Sequence, residues 1–97
     1  MVKHVVMYKL KDSSQEEKER IRGIFLSMLG RIPSLLSVEV GLDFLGSERS
    51  YDVVLTCTFK DEAAMEAYQK HPVHHDEVRP QIHAVRESSV SVDYMIG

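Results

Sequence analysis

The chain has 97 residues, 43% of them hydrophobic, and its 12 Lys and Arg residues against 15 Asp and Glu residues give a net charge of −3. This length predicts one domain, residues 1–97, with a small core. The acidic balance and the lack of a basic stripe exclude a typical nucleic-acid binder, and no apolar run approaches the roughly 20 residues of a membrane span.

The first predicted strand runs from Val2 to Leu10 and has apolar residues on both faces. One face of this strand would carry His4, Val6, Tyr8 and Leu10. Ser14, with Glu17 three residues later, fits a capping box and predicts that a helix begins there. Gly30 and Pro33 predict where that helix ends. Its apolar stripe would consist of Ile21, Ile24, Phe25, Met28, Leu29 and Ile32.

Two further strands, Val38–Phe44 and Tyr51–Phe59, flank a polar turn and predict a hairpin. The second of them is apolar on both faces, so we expect it at the centre of the sheet. It contains the only cysteine, Cys57, which excludes an internal disulfide and is typical of a reducing compartment. Since no signal peptide is apparent, we expect a cytoplasmic protein with a buried, unreactive thiol.

The last third of the chain begins with a predicted helix that Asp61 caps and Pro72 stops. The buried positions of this helix would be Ala64, Met65 and Tyr68. A further short helix is predicted between Val73 and His83, with Pro80 either kinking or ending it. The chain closes with a strand over Ser88–Ile96, which would carry Val90, Val92, Tyr94 and Ile96 on one side.

The order strand, helix, strand, strand, helix, strand predicts an α+β domain with the ferredoxin-like βαββαβ arrangement, a four-stranded antiparallel sheet with helices on one face. The other face would carry Val5, Met7, Val54 and Thr56 without a helix to cover them. Because an exposed apolar face of this kind is typical of an interface, we expect a homodimer.

The segment from Tyr68 to Glu77 is the one stretch that packing does not explain, because it holds three of the five histidines around a proline. A histidine can take a proton near neutral pH when an apolar wall holds a substrate against it, and a tyrosine hydroxyl can assist. These side chains would ring a pocket between the helices and the sheet. The predicted pocket residues are His4, Val6, Tyr8, Ile21, Phe25, Leu55, Met65, Tyr68, His71 and His74.

A structural interpretation of the same segment stands beside the functional one. His71 and Pro72 would then only terminate a helix, His74 would be solvated, and Tyr68 would be a core aromatic. A zinc site built from His71, His74 and the two residues that follow is not expected, because Pro72 interrupts the helical spacing that metal ligands favour. We predict no metal and no cofactor.

Several segments together resemble the stress-responsive α/β-barrel domain family. They are the opening Met1-Val-Lys-His-Val-Val-Met-Tyr-Lys-Leu-Lys-Asp12, Ile32-Pro33 before Val38-Glu-Val-Gly-Leu-Asp43, Ser50-Tyr-Asp-Val-Val-Leu55, Tyr68-Gln-Lys-His-Pro-Val-His74 and the closing Val92-Asp-Tyr94. The resemblance runs the whole length of the chain. It implies the ferredoxin-like fold and a dimer in which two sheets face each other as an α/β barrel.

The resemblance also implies a chemistry, because a plant relative is a polyketide cyclase with a histidine base and an assisting tyrosine. Those roles would fall on His74 and Tyr68, with His4 in the same pocket, and would make the protein a cyclase- or lyase-like catalyst acting on a small, mostly apolar molecule. After His74 the chain departs from the cyclase, with His75-Asp-Glu77 in place of apolar residues and glycine. Two alternatives remain open: a non-catalytic dimeric module that binds a ligand or partner, and a barrel monooxygenase.

Overall fold

The computed structural model describes residues 1–97 as one sheet covered by helices. Its elements are β1 (Val2–Leu10), α1 (Gln15–Leu26), β2 (Ser37–Leu42), β3 (Val53–Phe59), α2 (Glu62–Lys70), a π-helical segment (Val73–Val78), α3 (Arg79–Val85) and β4 (Arg86–Met95). The predicted βαββαβ order is confirmed, and the further helix predicted between Val73 and His83 is present as the π-helical segment and α3, which ends at Val85. No helix has the length and apolar character needed to cross a membrane.

The sheet has the order β2-β3-β1-β4, and all three neighbouring pairs are antiparallel. The predicted ferredoxin-like class is therefore confirmed, with β3 and β1 at the centre. Val6 lies opposite Leu55 of β3 and Ser91 of β4. This register places alternate residues of all four strands on the side of the helices.

The core lies between that side of the sheet and the helices. Its buried side chains include Ile21, Phe25 and Met28 from the first half of the chain, and Cys57, Tyr68 and Ile82 from the second. The burial predicted for Cys57 is confirmed, since its exposed fraction is 0%.

The opposite face of the sheet has no helix on it and is called the bare face below. The register assigns to it Val5, Met7, Val54, Thr56, Val90, Val92 and Tyr94. Met7, Val90, Val92 and Tyr94 are 42–60% exposed in the single chain. The faces predicted for β1 and β4 are therefore confirmed, except that Ile96 lies beyond the end of the strand.

Two predicted strands begin elsewhere, β3 at Val53 instead of Tyr51 and β4 at Arg86 instead of Ser88. Two predicted ends are wrong for local reasons. The second strand ends at Leu42, and Phe44 is 97% exposed, because Asp43 begins a turn in which its carboxylate accepts from the Gly46 amide at 2.8 Å. The first helix ends at Leu26, because the Ser27 amide divides its hydrogen bond between two carbonyls. The chain continues in turns that still bury Met28 and Ile32.

The segment after Pro72 is wound more widely than an α-helix. The Arg79 amide donates to the carbonyl of His74, five residues earlier, which is the π-helical bond. Pro72 has helical backbone angles and begins this segment after stopping α2. Pro80 stands in the first turn of α3, where its missing amide hydrogen costs no internal bond, so it does not end the helix.

A buried carboxylate fastens the end of β1. Asp52 is 8% exposed, and its Oδ2 accepts from the Leu10 amide at 2.7 Å, beside a register shift between Lys9 and Leu10. The Asp52 amide in turn donates to the carbonyl of Tyr8 at 2.8 Å. The Asp52 carboxylate thus accepts the hydrogen bond that a strand carbonyl would accept if the pairing were regular at this point.

Candidate functional site

A cavity of about 300 Å³ lies between the helices and the β1–β4 half of the sheet. Six predicted pocket residues line it: His4, Val6, Tyr8, Phe25, Tyr68 and His74. This volume is at the small end of ordinary ligand pockets. A larger hollow, of about 480 Å³, lies where the bare face meets the β2–β3 loop, but it contains no histidine.

Four other predicted pocket residues lie elsewhere. Ile21 and Leu55 are 0% and 1% exposed and belong to the core. Met65 borders a separate surface hollow at the edge of α2. His71 follows the end of α2, where its Nδ1 accepts from the Val73 amide at 3.1 Å. That bond points the His71 ring at its own backbone across Pro72.

His74 is half-buried in the cavity wall, and a backbone contact fixes its tautomer. Its Nδ1 lies 3.1 Å from the carbonyl oxygen of Gln69, which can only accept, so Nδ1 carries the hydrogen and Nε2 is the accepting nitrogen. Burial lowers the pKa of His74, the Gln69 carbonyl opposes that effect, and the charges of His4 and Arg79 add to the lowering. The imidazole is therefore neutral near pH 7.

Tyr68 packs its ring against His74, with 4.4 Å between the ring centroids and a 45° tilt. Its hydroxyl points into the core and donates to Met28 Sδ at 3.9 Å. Burial raises the pKa of Tyr68 well above its ordinary value, and the neighbouring Cys57 thiol adds to the increase. Tyr68 thus contacts His74 through the ring face, with the hydroxyl directed away from the imidazole nitrogens.

His4 is the second imidazole of the cavity and approaches Tyr68 from β1, with 6.3 Å between the ring centroids. Its Nδ1 donates to the Asp93 carboxylate of β4, the residue directly opposite in the sheet. A carboxylate in this position fixes the orientation of the ring. Tyr8 stands two residues along the same face, 5.3 Å from the Phe25 ring, and burial raises the pKa of its hydroxyl to about 12.

The sequence interpretation missed the other polar residues of the site. Asp93 holds His4, while Ser89 and Ser91 line the cavity from the same side of β4. Arg79, His83 and Arg86 also line it. The signal for the β4 set was the alternation itself, because Val90, Val92 and Tyr94 on one face leave serines and an aspartate on the other.

For Arg86 the signal was a spacing. His74, Val78, Ile82 and Arg86 follow one another at intervals of four residues, which is the spacing of one helix face. His75 lies outside this row, is exposed, and contacts Asp76 Oδ1 through its Nδ1 at 2.7 Å. No group of three or more His, Cys, Asp or Glu side chains is arranged to hold a metal ion.

The family model described as the stress-responsive A/B barrel domain matches residues 2–96. No curated protein matches the chain at a significant level. Among solved structures, a dimeric protein of unknown function with a ferredoxin-like fold from Bacteroides fragilis is 28% identical, with a TM-score of 0.80 over 98% of this chain and 95% of its own. A Dabb family protein with a ferredoxin-like fold from Mesorhizobium loti is 26% identical, with a TM-score of 0.82 over 98% and 95%.

A hydroxynitrile lyase from Passiflora edulis has the same architecture, with a TM-score of 0.83 over 99% of this chain and 93% of its own. It is 19% identical to this chain, so the likeness shows the fold alone.

Proposed function

The chain belongs to the stress-responsive A/B-barrel domain family, and from that premise we propose that it is a homodimeric member whose cavity binds a small, mostly apolar molecule and removes a proton from it. His74 is the general base, and the reaction is of the cyclase or lyase type. Tyr68 is a positioning residue that holds the imidazole through ring contact. His4, fixed by Asp93, lies against the same substrate as a second polar contact.

One observation carries the proposal, namely that His74 is neutral and presents Nε2 as its accepting nitrogen. Its Nδ1 hydrogen bond to the Gln69 carbonyl and its lowered pKa both support this state. A general base works best when its pKa lies near the working pH and its free nitrogen reaches an acidic C–H. Val6, Tyr8 and Phe25 supply the apolar surface that would hold such a carbon acid in place.

The homodimer is supported by the bare face and by the B. fragilis structure, which is described as dimeric. Val90 and Val92 of β4 alternate along the chain with Ser89 and Ser91. Each strand residue points to the face opposite to its neighbours. Pairing of bare faces would therefore bury one side of β4 while the other side lines the cavity.

Proton removal is tested by hydrogen–deuterium exchange into an aryl methyl ketone such as 2-acetylnaphthalene, followed by proton NMR in D₂O. We expect the protein to accelerate exchange of the methyl protons, and His74→Gln to reduce that acceleration by roughly 10²-fold or more, the usual contribution of a general base. His75→Gln is the matched control, because this neighbouring histidine is exposed and outside the cavity. Equal exchange in wild type and His74→Gln would contradict the proposal, and ketone binding without any exchange would favour the non-catalytic binding module.

A further inference from the structure

A row of basic side chains borders the cavity where the π-helical segment, α3 and β4 follow one another. Arg79, His83 and Arg86 line the cavity at intervals of four and three residues, and they are called the basic rim below. Val78 and Ile82, from the same segment, are buried and line the cavity as well. The cavity therefore joins an apolar wall to a cationic edge.

Neither arginine of the basic rim has an acidic partner. The structure contains six ion pairs between side chains, and none of them includes Arg79 or Arg86. Three other arginines each pair with a glutamate, namely Arg20, Arg22 and Arg31. Moreover, no aspartate or glutamate is among the residues that line the cavity. The cavity lining thus carries two arginines and no carboxylate.

Two carboxylates of the adjoining elements are engaged with histidines, although Asp76 also borders a surface hollow together with Arg79 and His83. Asp93 accepts from His4, and Asp76 contacts His75 at 2.7 Å on the outer side of the π-helical segment. An unpaired arginine beside a cavity is a common binding group for oxyanions, because its planar fork of N–H donors matches a carboxylate.

Arg86 is held in place at the mouth of the cavity. Its Nη1 donates to Ser89 Oγ at 3.2 Å, and its Nη2 lies 3.3 Å and 3.4 Å from the two ring nitrogens of His83. Its charge also lowers the pKa of the Tyr8 hydroxyl against the larger effect of burial, which indicates that the guanidinium lies near that hydroxyl. A guanidinium fixed in this way loses little side-chain entropy when it binds an anion.

We propose that the cavity takes an organic carboxylate, an apolar acid whose ionised group binds Arg86 and Arg79 while its body packs against Tyr8, Phe25 and Ile82. This inference rests on the proposed function and narrows its ligand from an apolar molecule to an apolar anion. A cavity of about 150 Å³ holds benzene, so the 300 Å³ present here suits a body of about two fused aromatic rings.

The test compares acids with their neutral amides by isothermal titration calorimetry on the full chain. Three matched pairs serve as probes: benzoate and benzamide, 2-naphthoate and 2-naphthamide, and biphenyl-4-carboxylate and its amide. In each pair the apolar body is constant and only the charge changes. We expect the best acid to bind at least about 10-fold more tightly than its amide, as a charge-assisted contact predicts.

Substitutions in the basic rim test whether the difference in affinity between acid and amide arises there. Arg86→Gln should weaken acid binding by about 10-fold and leave amide binding unchanged, with a smaller effect from Arg79→Gln because Arg79 is more exposed. Arg86→Lys, which keeps the charge without the planar fork, should recover part of the loss and also guards against misfolding. Arg22→Gln is the matched control, since Arg22 lies on α1 and pairs with Glu19.

The outcomes separate this inference from the function on which it rests. If the amides bind as tightly as the acids, the carboxylate assignment is overturned and the apolar pocket stands. If Arg22→Gln weakens acid binding as much as Arg86→Gln does, the rim assignment is overturned. If none of the six probes binds, both the inference and the proposed pocket fail.

Discussion

His74 owes its properties to three neighbours that act in different ways. The Gln69 carbonyl fixes its tautomer, the Tyr68 ring covers one side of the imidazole, and the charge of Arg79 disfavours protonation. Burial is the largest of the effects on its pKa. A residue that is neutral, oriented and partly shielded is suited to accept a proton from a weak acid.

We therefore predict that His74 titrates below the ordinary histidine value of 6.5. Tyr68→Phe should leave this pKa nearly unchanged, because the hydroxyl contacts Met28 and not the imidazole. Tyr68→Ala should move the pKa of His74 back towards 6.5, because it removes the ring that shields it from water. The measurement is a proton-NMR titration of the imidazole resonances, assigned by their loss in His74→Gln. A large shift in Tyr68→Phe would contradict this geometry.

The same pKa makes folding stability depend on pH. Because the folded state binds the His74 proton more weakly than the unfolded state does, protonation favours unfolding. The stabilisation from neutral His74 is complete above about pH 6.5 and is lost as the pH falls through the lower, folded-state pKa. Urea unfolding between pH 4 and 8 should show this fall, and His74→Gln should make it shallower. An identical slope in wild type and variant would show that His74 is not shielded.

The buried hydrogen bond between the Leu10 amide and the Asp52 carboxylate contributes to the stability of the fold. Asp52→Ala leaves the Leu10 amide without its partner in the interior, which should destabilise the fold by about 1–3 kcal/mol. Asp12→Ala is the matched control, because the Asp12 carboxylate accepts from Ser14 at an exposed position and water can replace it. Urea unfolding midpoints measure both changes. Equal effects of the two substitutions would contradict the structural role given to Asp52.

At the scale of elements, periodic patterns were sufficient for the number, order and faces of the strands and for α2, whose cap at Asp61 and end before Pro72 lie as predicted. They were insufficient where a few hydrogen bonds decide the geometry. The turn at Asp43 removed Phe44 from β2, and the divided bond at Ser27 shortened α1. No apolar period distinguishes those ends, because they depend on local polar contacts.

The sequence pattern likewise predicts some residues of the candidate site and not others. The alternation in β1 correctly places His4 and Tyr8 on the helix side of the sheet. The π-helical winding after Pro72 fixes where His74 and Arg79 lie, and an α-helical pattern does not predict that winding. Ile21 and Leu55 were predicted at the pocket because a pattern identifies a face of an element, but it does not say which part of that face is filled.

β4 is the element whose polar side keeps the cavity open, so filling that side should abolish binding. Ser91→Leu adds apolar volume at a position that lines the cavity, where the present serine is exposed. We expect this substitution to weaken binding of 2-naphthoate by at least about 10-fold, and to leave stability unchanged or higher, because added apolar surface is buried there. Ser91→Ala is the size-matched control and should bind normally. Unchanged binding in Ser91→Leu would place the ligand elsewhere.

At the scale of the whole molecule, the two faces of the sheet differ in what they contact. Its helix side forms the core and the cavity, and its bare face carries apolar side chains that a monomer leaves in water. β4 belongs to both, with Ser91 and Asp93 facing the site and Val92 and Tyr94 facing outward. The proposed dimer would therefore fix the strand that holds the His4 partner and one wall of the cavity.

Val92→Asp tests this assembly, because Val92 is 60% exposed in the single chain and the substitution costs a monomer little. In a dimer it would bury an unpaired carboxylate, which costs several kcal/mol. Light scattering at micromolar concentration should give twice the chain mass for wild type and the single mass for Val92→Asp. Ala63→Asp, an equal charge change on an exposed turn of α2, should remain dimeric.

Because β4 loses its support in the monomer, Val92→Asp should also weaken 2-naphthoate binding, although Val92 faces away from the cavity. A stable Val92→Asp dimer would show that the subunits pair through another surface.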